Sequence, residues 1–301
     1  MTDADFAPLP GQPLTLEPGL RLVLAPNPSP MTERGTNTFL LGDGAVTVID
    51  PGPADPAHLR AILAALRPGE RVARILVTHA HKDHSPLARP LAEVTGAAVW
   101  AFGDAKAGRS ARMAALGAQW LGGGEGVDAS FSPDEGLADG AVIEAGGRAL
   151  HAIHTPGHFG NHLSFAWGEV VFTGDHLMGW APSLVSPPEG DLTDFMASLT
   201  VIEALGTRRC YPGHGAPVAD GAARARALRT HRQGREAAIL AALDGDAATL
   251  AQITARVYHD VPQALWPTAE RNVLAHAIDL QARGMVELRP TPDGALRLQR
   301  V

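Results

Sequence analysis

Apolar positions in the first two hundred residues fall into short runs separated by glycine and proline, a rhythm of strands with helices set between them. LRLVLAP and TNTFLLGDGAVTVIDPG (residues 36–52) carry β-branched and apolar residues around the turn Gly42-Asp43-Gly44. In DPAHLRAILAALRPG the spacing changes: Leu59, Ile62, Leu63 and Leu66 recur at helical intervals, and Pro68-Gly69 ends the run. RVARILVTH returns to a strand, SPLARPLAEVTG to a helix and AAVWAF to a strand. This alternation predicts a layered α/β core. From Gly103 to Gly126 the pattern is weak and glycine-rich, and it reads as a surface excursion. Paired strands follow in AVIEAGGRALHAIHTPG, LSFAWG and EVVFTGD. A glycine- and proline-rich loop, HLMGWAPSLVSPPEGD, leads to the helix TDFMASLTVIEALG and the short strand RRCYPGHG.

Beyond about residue 220 helical spacing dominates, in AARARALRTHRQGREAAILAALD, ATLAQITARVY and AERNVLAHAIDLQARG. MVELRP and ALRLQRV around TPDG then predict a terminal hairpin. Three helices and a hairpin are the element order of a winged-helix module. The expected organisation is a large domain over 1–219 and a smaller helical one over 220–301.

Composition narrows the function classes. A hydrophobic share of 45% in 301 residues is ample for a core, and no apolar run approaches the roughly 18 to 20 residues of a membrane span. The N-terminus, MTDADFAPLPGQPL, lacks a basic region followed by a long apolar one, so cytoplasmic residence is the expectation. Cys210 is the single cysteine, which excludes an internal disulfide and a thiolate-rich metal site. The net charge of −7 argues against an extended nucleic-acid surface. The tail, with 11 basic and 9 acidic residues, carries +2 of it and the remainder −9.

Chemistry is concentrated in THAHKDHSP, Thr78 to Pro86, which sets three histidines and an aspartate directly after an apolar strand. His79 and His81 are two residues apart and cannot share a helix face, but in an extended or sharply turning segment they can converge on one point. Neutral imidazole and carboxylate are good ligands for zinc-like ions. Three later sites repeat the pattern of strand end, tight turn and metal-capable side chain: His158 in HTPGH, Asp175 in FTGDH and His214 in YPGHG. With His79, His81, Asp83 and His84 they make five histidines and two aspartates. That is enough for two ions sharing one carboxylate.

Over residues 20 to 219 these motifs resemble the metallo-β-lactamase-fold hydrolases, whose signature is HxHxDH. The resemblance implies an α/β (α+β) fold, a four-layer αββα sandwich with its site along one edge of the two sheets. It implies that His79, His81 and His158 hold one metal, that Asp83, His84 and His214 hold a second, and that Asp175 bridges them. Asp50, in VIDPG, matches the strand-end aspartate that supports the ligand loop. GDLTDFMASL, YPGHG, the His231–Leu240 stretch and the winged-helix-like end resemble the subgroup related to β-lactamase-like protein 2. In the true β-lactamases the place of Asp175 is held by cysteine or serine, so the resemblance does not imply antibiotic degradation. A bridging aspartate belongs to the glyoxalase II, lactonase and nuclease branches. Against glyoxalase II itself, Ser85-Pro86 replaces the usual Gly-Gly.

The implied activity is that of a binuclear metal-dependent hydrolase using a metal-bridging hydroxide, with Asp83 and Asp175 as its catalytic carboxylates. Zinc is the favoured ion, and an all-N/O set also accepts iron or manganese. Two divalent ions, two aspartates and one hydroxide sum to a formal charge of about +1, which favours a small anionic substrate. An ester, thioester, lactone or related acyl compound is the first expectation. Phosphodiester cleavage of single-stranded RNA is the alternative, and Arg224, Arg226, Arg229, Arg232 and Arg235 are its support. A duplex-binding regulator is poorly served, because the third tail helix sets Arg271, His276 and Arg283 against Glu270 and Asp279. A lid or a homodimer contact suits the tail better. Since all seven ligands precede residue 220, the ligand set is expected to be independent of the tail.

Other residues read as support. His58, His151, His231, His259 and His276 are expected at the surface or in packing, and His154 and His176 in structural roles. His162 stands between support and substrate contact. Cys210 reads as a core thiol. Met178, Trp180 and Leu184 lie in a loop that lines the cleft in this fold.

Overall fold

The computed structural model describes residues 6–120, 126–243, 246–291 and 294–301. The chain opens with β1 (Pro13–Glu17), β2 (Leu20–Leu24), β3 (Asn37–Leu41) and β4 (Ala45–Ile49). It then alternates through α1 (Pro56–Ala64), β5 (Arg71–Leu76), α2 (Ala88–Thr95), β6 (Ala98–Ala101), α3 (Ala111–Trp120) and β7 (Glu135–Gly136). These seven strands form one sheet in chain order, antiparallel as far as β4 and parallel beyond it. A second sheet takes β8 (Val142–Ala145), β9 (Arg148–His154), β10 (Leu163–Trp167) and β11 (Val170–Gly174); after α4 (Leu192–Ala204) it adds β12 (Arg209–Pro212) parallel to β11.

The tail supplies α5 (Gly221–Ala241), β13 (Ala248–Thr249), α6 (Leu250–Val257), α7 (Trp266–Ala282) and the hairpin β14 (Val286–Pro290) and β15 (Leu296–Arg300). Its small sheet runs β13-β15-β14, so the expected winged-helix order is present with a short strand ahead of α6. Thr249 and Gln252 form a reciprocal cap that starts α6.

Burial defines four layers. In β2, Leu20, Leu22 and Leu24 face one apolar cluster and Val23 another, the two-residue period of a strand covered on both sides. Between the sheets Leu22, Phe39, Leu41 and Ile49 meet Leu163, Phe165 and Phe172. Outside the first sheet, Val46, Val48 and Ile75 pack under Ile62 and Leu91 of α1 and α2. Outside the second, Val171 packs with Phe195 and Leu199 of α4 and Leu228 of α5. The αββα sandwich is thus formed as expected.

The weakly patterned stretch after Gly103 is more ordered than its sequence indicates. It contains α3, whose Met113 is buried in the tail's own cluster with Val273 and Leu298. That apolar contact belongs to the other end of the chain and leaves no period near residue 113. Among the described residues no helix is long and apolar enough to cross a membrane.

Candidate metal centre

Each metal-capable side chain follows a strand directly. His79 to His84 come after β5, His158 after β9, Asp175 after β11 and His214 after β12. The turns require residues without side chains at two places. Gly174 has φ +45°, and a Cβ there would lie 2.6 Å from His162 Nε2. A Cβ on Gly213 would fall 2.5 Å from Asp175 Oδ1 and 2.6 Å from His84 Cε1.

The structure brings all seven sequence-predicted residues together in two overlapping groups. His79, His81, His158 and Asp175 form one, and Asp83, His84, Asp175 and His214 the other; within each, the ligand atoms lie within 4.8 Å of one another. His81 Nδ1 is 2.9 Å from His79 Nε2 and 3.1 Å from His158 Nε2. His84 Nε2 is 3.3 Å from His214 Nε2 and 3.4 Å from Asp175 Oδ1, and His214 Nε2 is 3.1 Å from Asp83 Oδ2. Ligand atoms bonded to one tetrahedral zinc at 2.0–2.1 Å stand about 3.4 Å apart, so these separations fit a metal.

The opposite ring nitrogens fix the tautomers that such a metal needs. His158 Nδ1 donates to the Leu184 carbonyl at 2.6 Å and His214 Nδ1 to that of Gly35 at 3.1 Å. His84 Nδ1 donates to Asp50 Oδ2 at 2.9 Å. Thr78 gives its hydroxyl to the same Asp50 oxygen and takes a bond from His79 Nδ1 at 3.0 Å. Each donation leaves Nε2 with its lone pair toward the centre. Asp50 also accepts the Thr78 amide at 2.7 Å and has φ +52°. Left-handed backbone at a non-glycine residue is held only where the surroundings determine it. Asp50 therefore organises the ligand loop, as its position in the sequence implied.

Electrostatics separates the two groups. Burial pushes His79 well below the ordinary imidazole range, His81 down to about 3 and His158 downward, so burial favours the neutral form of the three imidazoles in the first group. Burial also works against charge on His84 and His214, but Asp175 and Asp83 outweigh it, lifting His84 well above its usual range and His214 to about 9. Both carboxylates are disfavoured by burial yet held below their usual range, Asp175 by His214 first and Asp83 by His84 first. A carboxylate pair of this kind demands positive charge, which protons on two imidazoles or divalent ions can supply. His81 and Asp83 are only half-buried while the other five are buried, so the centre opens to solvent on their side.

His162 faces no solvent. Its Nε2 accepts the Asp175 amide at 3.2 Å and its Nδ1 donates to Thr155 Oγ1 at 2.9 Å, which places it in support of the Gly174–Asp175 turn. His176 is buried with its ring tilted against Phe195, and Cys210 is a core thiol that burial raises to about 12. Trp180 leans over Gly215 beside Glu33, next to the His214 ligand position. Thr78 and Gly35 were not singled out in the sequence, and Leu184 was read only as part of the cleft-lining loop; Gly35 and Leu184 act through backbone carbonyls, which leave no residue signature.

The five arginines of α5 are occupied within the chain. Arg224 donates to the Met178 and Ala181 carbonyls, and Arg226 and Arg229 pair with Glu203. Arg232 is buried against Ser183 and Asn272, and Arg235 bonds the Val257 carbonyl and Asp260 beneath Tyr258. They do not make a free basic stripe.

Two layers of helix around two sheets, with imidazoles and carboxylates gathered at one edge, define a metal-dependent hydrolase. The chain belongs to the metallo-β-lactamase superfamily, whose profile matches residues 31–214, and the β-lactamase-associated winged helix domain matches residues 249–289. More particularly, it is 29% identical over 283 residues to a β-lactamase-like protein 2 homolog of Drosophila melanogaster, covering 90% of each chain. It is 30% identical over 240 residues to the atrochrysone carboxyl ACP thioesterase of Aspergillus fumigatus, covering 76% of this chain and 66% of that one. A metallo-β-lactamase family protein of Thermus thermophilus superposes with a TM-score of 0.76 at 28% identity, over 95% of this chain and 100% of that one.

Proposed function

We propose that this protein is a binuclear hydrolase of small acyl compounds, thioesters first, with esters and lactones in the same class. The observation that carries the reading is the sharing of Asp175 between two four-residue groups, each with the donor set of a divalent ion. His79, His81 and His158 would hold one ion, Asp83, His84 and His214 the other, and Asp175 both. Zinc suits these donors best, and iron or manganese is compatible with them. When bound, such ions lower the pKa of water toward about 7 and polarise a scissile carbonyl.

The chain's own residues do the rest. Asp83, on the open side and ionised, stays an acceptor that orients water; Asp50 holds His84 and the Thr78 loop rigid. Trp180 offers apolar wall beside the His214 position. The thioester preference rests on the Aspergillus relative and on the lack of any free arginine stripe among Arg224, Arg226, Arg229, Arg232 and Arg235 to hold a polyanion. We take residues 1–219 as the catalytic part and 220–301 as a module appended to it, and a cytoplasmic small-molecule role as the working assignment.

Protein purified without chelator is expected to carry close to two ions per chain by elemental analysis, and Asp175→Ala to carry fewer and to be inactive. Metal-loaded protein is then screened on thioesters, lactones, β-lactams and bis-phosphodiesters. Cleavage confined to the phosphodiesters, or full occupancy and turnover in Asp175→Ala, would sink the proposal.

A further inference from the structure

The loop between β11 and α4 carries the carbonyl that orients His158, and the tail module holds that loop. Leu184 O accepts from His158 Nδ1 at 2.6 Å. The amide nitrogen of the same peptide unit belongs to Val185, and it donates to Asn272 Oδ1 of α7 at 3.2 Å. A peptide unit is planar, with its N–H and C=O pointing opposite ways. Fixing the Val185 N–H therefore aims the Leu184 carbonyl at His158. Asn272 Oδ1 is itself held by Arg232 Nη1 of α5 at 2.9 Å, and the other amino group of Arg232 bonds the Ser183 carbonyl. Leu184 is thus bracketed on both sides by one Arg232–Asn272 pair. Arg232 is buried and lies over Phe195, and its leaving for solvent would take a donor from both the Ser183 carbonyl and Asn272 Oδ1. The clamp continues outward. Arg224 holds Met178 and Ala181, and Arg271 holds Ser186 Oγ at 2.9 Å and the Pro187 carbonyl.

We propose that Asn272 is a positioning residue for metal binding: through the Leu184–Val185 peptide it sets the orientation and tautomer of His158. The proposal rests on the assignment of His158 as a ligand. It reverses the expectation that the ligand set is independent of the tail, because one ligand is oriented from residue 272. The partner of a ligating histidine's second nitrogen typically changes metal affinity 10- to 100-fold when lost. Here the partner is a carbonyl, so the side chain that aims it takes that place.

The experiment is a zinc titration of full-length protein against a chelating indicator at fixed pH. Asn272→Leu is expected to weaken one of the two binding steps roughly tenfold and to leave the other unchanged. Asn272→Asp, which keeps an oxygen for both Val185 and Arg232, is expected to restore the weakened step. A variant that only loosened packing would lower thermal stability in both substitutions without selecting one step. His158→Ala separates this proposal from the ligand assignment. If it weakens zinc while Asn272→Leu does not, the clamp is wrong and the ligand set stands. If His158→Ala binds zinc normally, both fall. Coupling of this kind is reciprocal, so zinc should also slow hydrogen exchange at the Val185 amide of the unmodified protein. That measurement needs no variant, and an exchange rate indifferent to zinc overturns the proposal even where Asn272→Leu fails to fold.

Discussion

At the scale of single residues, the site is governed by what lies one atom beyond each metal-capable side chain. Two glycines show how sharply this acts. Gly136 on β7 has open space where a Cβ would go, whereas a Cβ on Gly213 would meet Asp175 Oδ1 and His84 Cε1 at 2.5 and 2.6 Å. Contacts that short cannot be accommodated unless one of these two side chains moves. Gly213→Ala is therefore expected to lose at least tenfold in metal affinity, on the scale of disturbed ligand orientation. Gly136→Ala should bind metal normally, with stability changed by less than about 1 kcal/mol. Chelator competition on both variants checks the contrast; equal affinities would mean that the Gly213 turn relaxes away from the site.

At the scale of elements, the sequence was legible where a residue's chemistry and its neighbours pointed to the same thing. His158, Asp175 and His214 each stand beside a glycine or follow a strand-like run, so both the turn and the convergence of these side chains could be read. The same was true of β2 to β6 and of α1, α2 and α4, whose periods are set by cores on one or two sides. The two-residue strands β7 and β13 carry too few positions to show a period. Arg232 and Asn272 were opaque for a different reason: their partners are backbone atoms 49 and 87 residues away. A run of arginines on α5 looks the same whether it faces RNA or a loop of its own chain. In the structure the run is paired within its own chain, and the two readings differ in what can be measured. Arg226 and Arg229 both pair with Glu203 near the surface, where such pairs contribute about 0–1 kcal/mol. Replacing both with alanine is expected to leave turnover and its weak salt dependence unchanged. A salt dependence that flattens on their removal would restore the polyanion reading.

At the scale of the whole molecule, the tail is joined to the catalytic layers by buried groups, so its ionisation affects the stability of the entire chain. His276 on α7 is buried, with neither ring nitrogen hydrogen-bonded among the described residues. Burial, then Arg232, Arg283, His231 and Arg235, push its pKa down to about 3. Those neighbours, three on α5 and one at the end of α7, are all cationic or able to become so, although Arg283 is itself paired with Glu236 and Asp279, and Arg235 with Asp260. His58 on α1, bonded to Thr38 Oγ1, is pushed down to about 4 by burial despite Asp55. The unfolded chain titrates both near pH 6.5, so it binds more protons than the folded chain below that value. Their stability is full above pH 6.5 and is lost progressively as pH falls toward 4 and 3. At pH 4.5 each loss is on the order of 2–3 kcal/mol, at about 1.4 kcal/mol per unit. His276→Leu replaces the unbonded ring with an apolar group that cannot take a proton. Denaturant midpoints at pH 7 and pH 4.5 are expected to differ less in His276→Leu than in the unmodified protein, with equal slopes against denaturant. Identical differences in the two proteins would show that His276 finds a partner or water when protonated, and that burial does not hold it neutral in the fold.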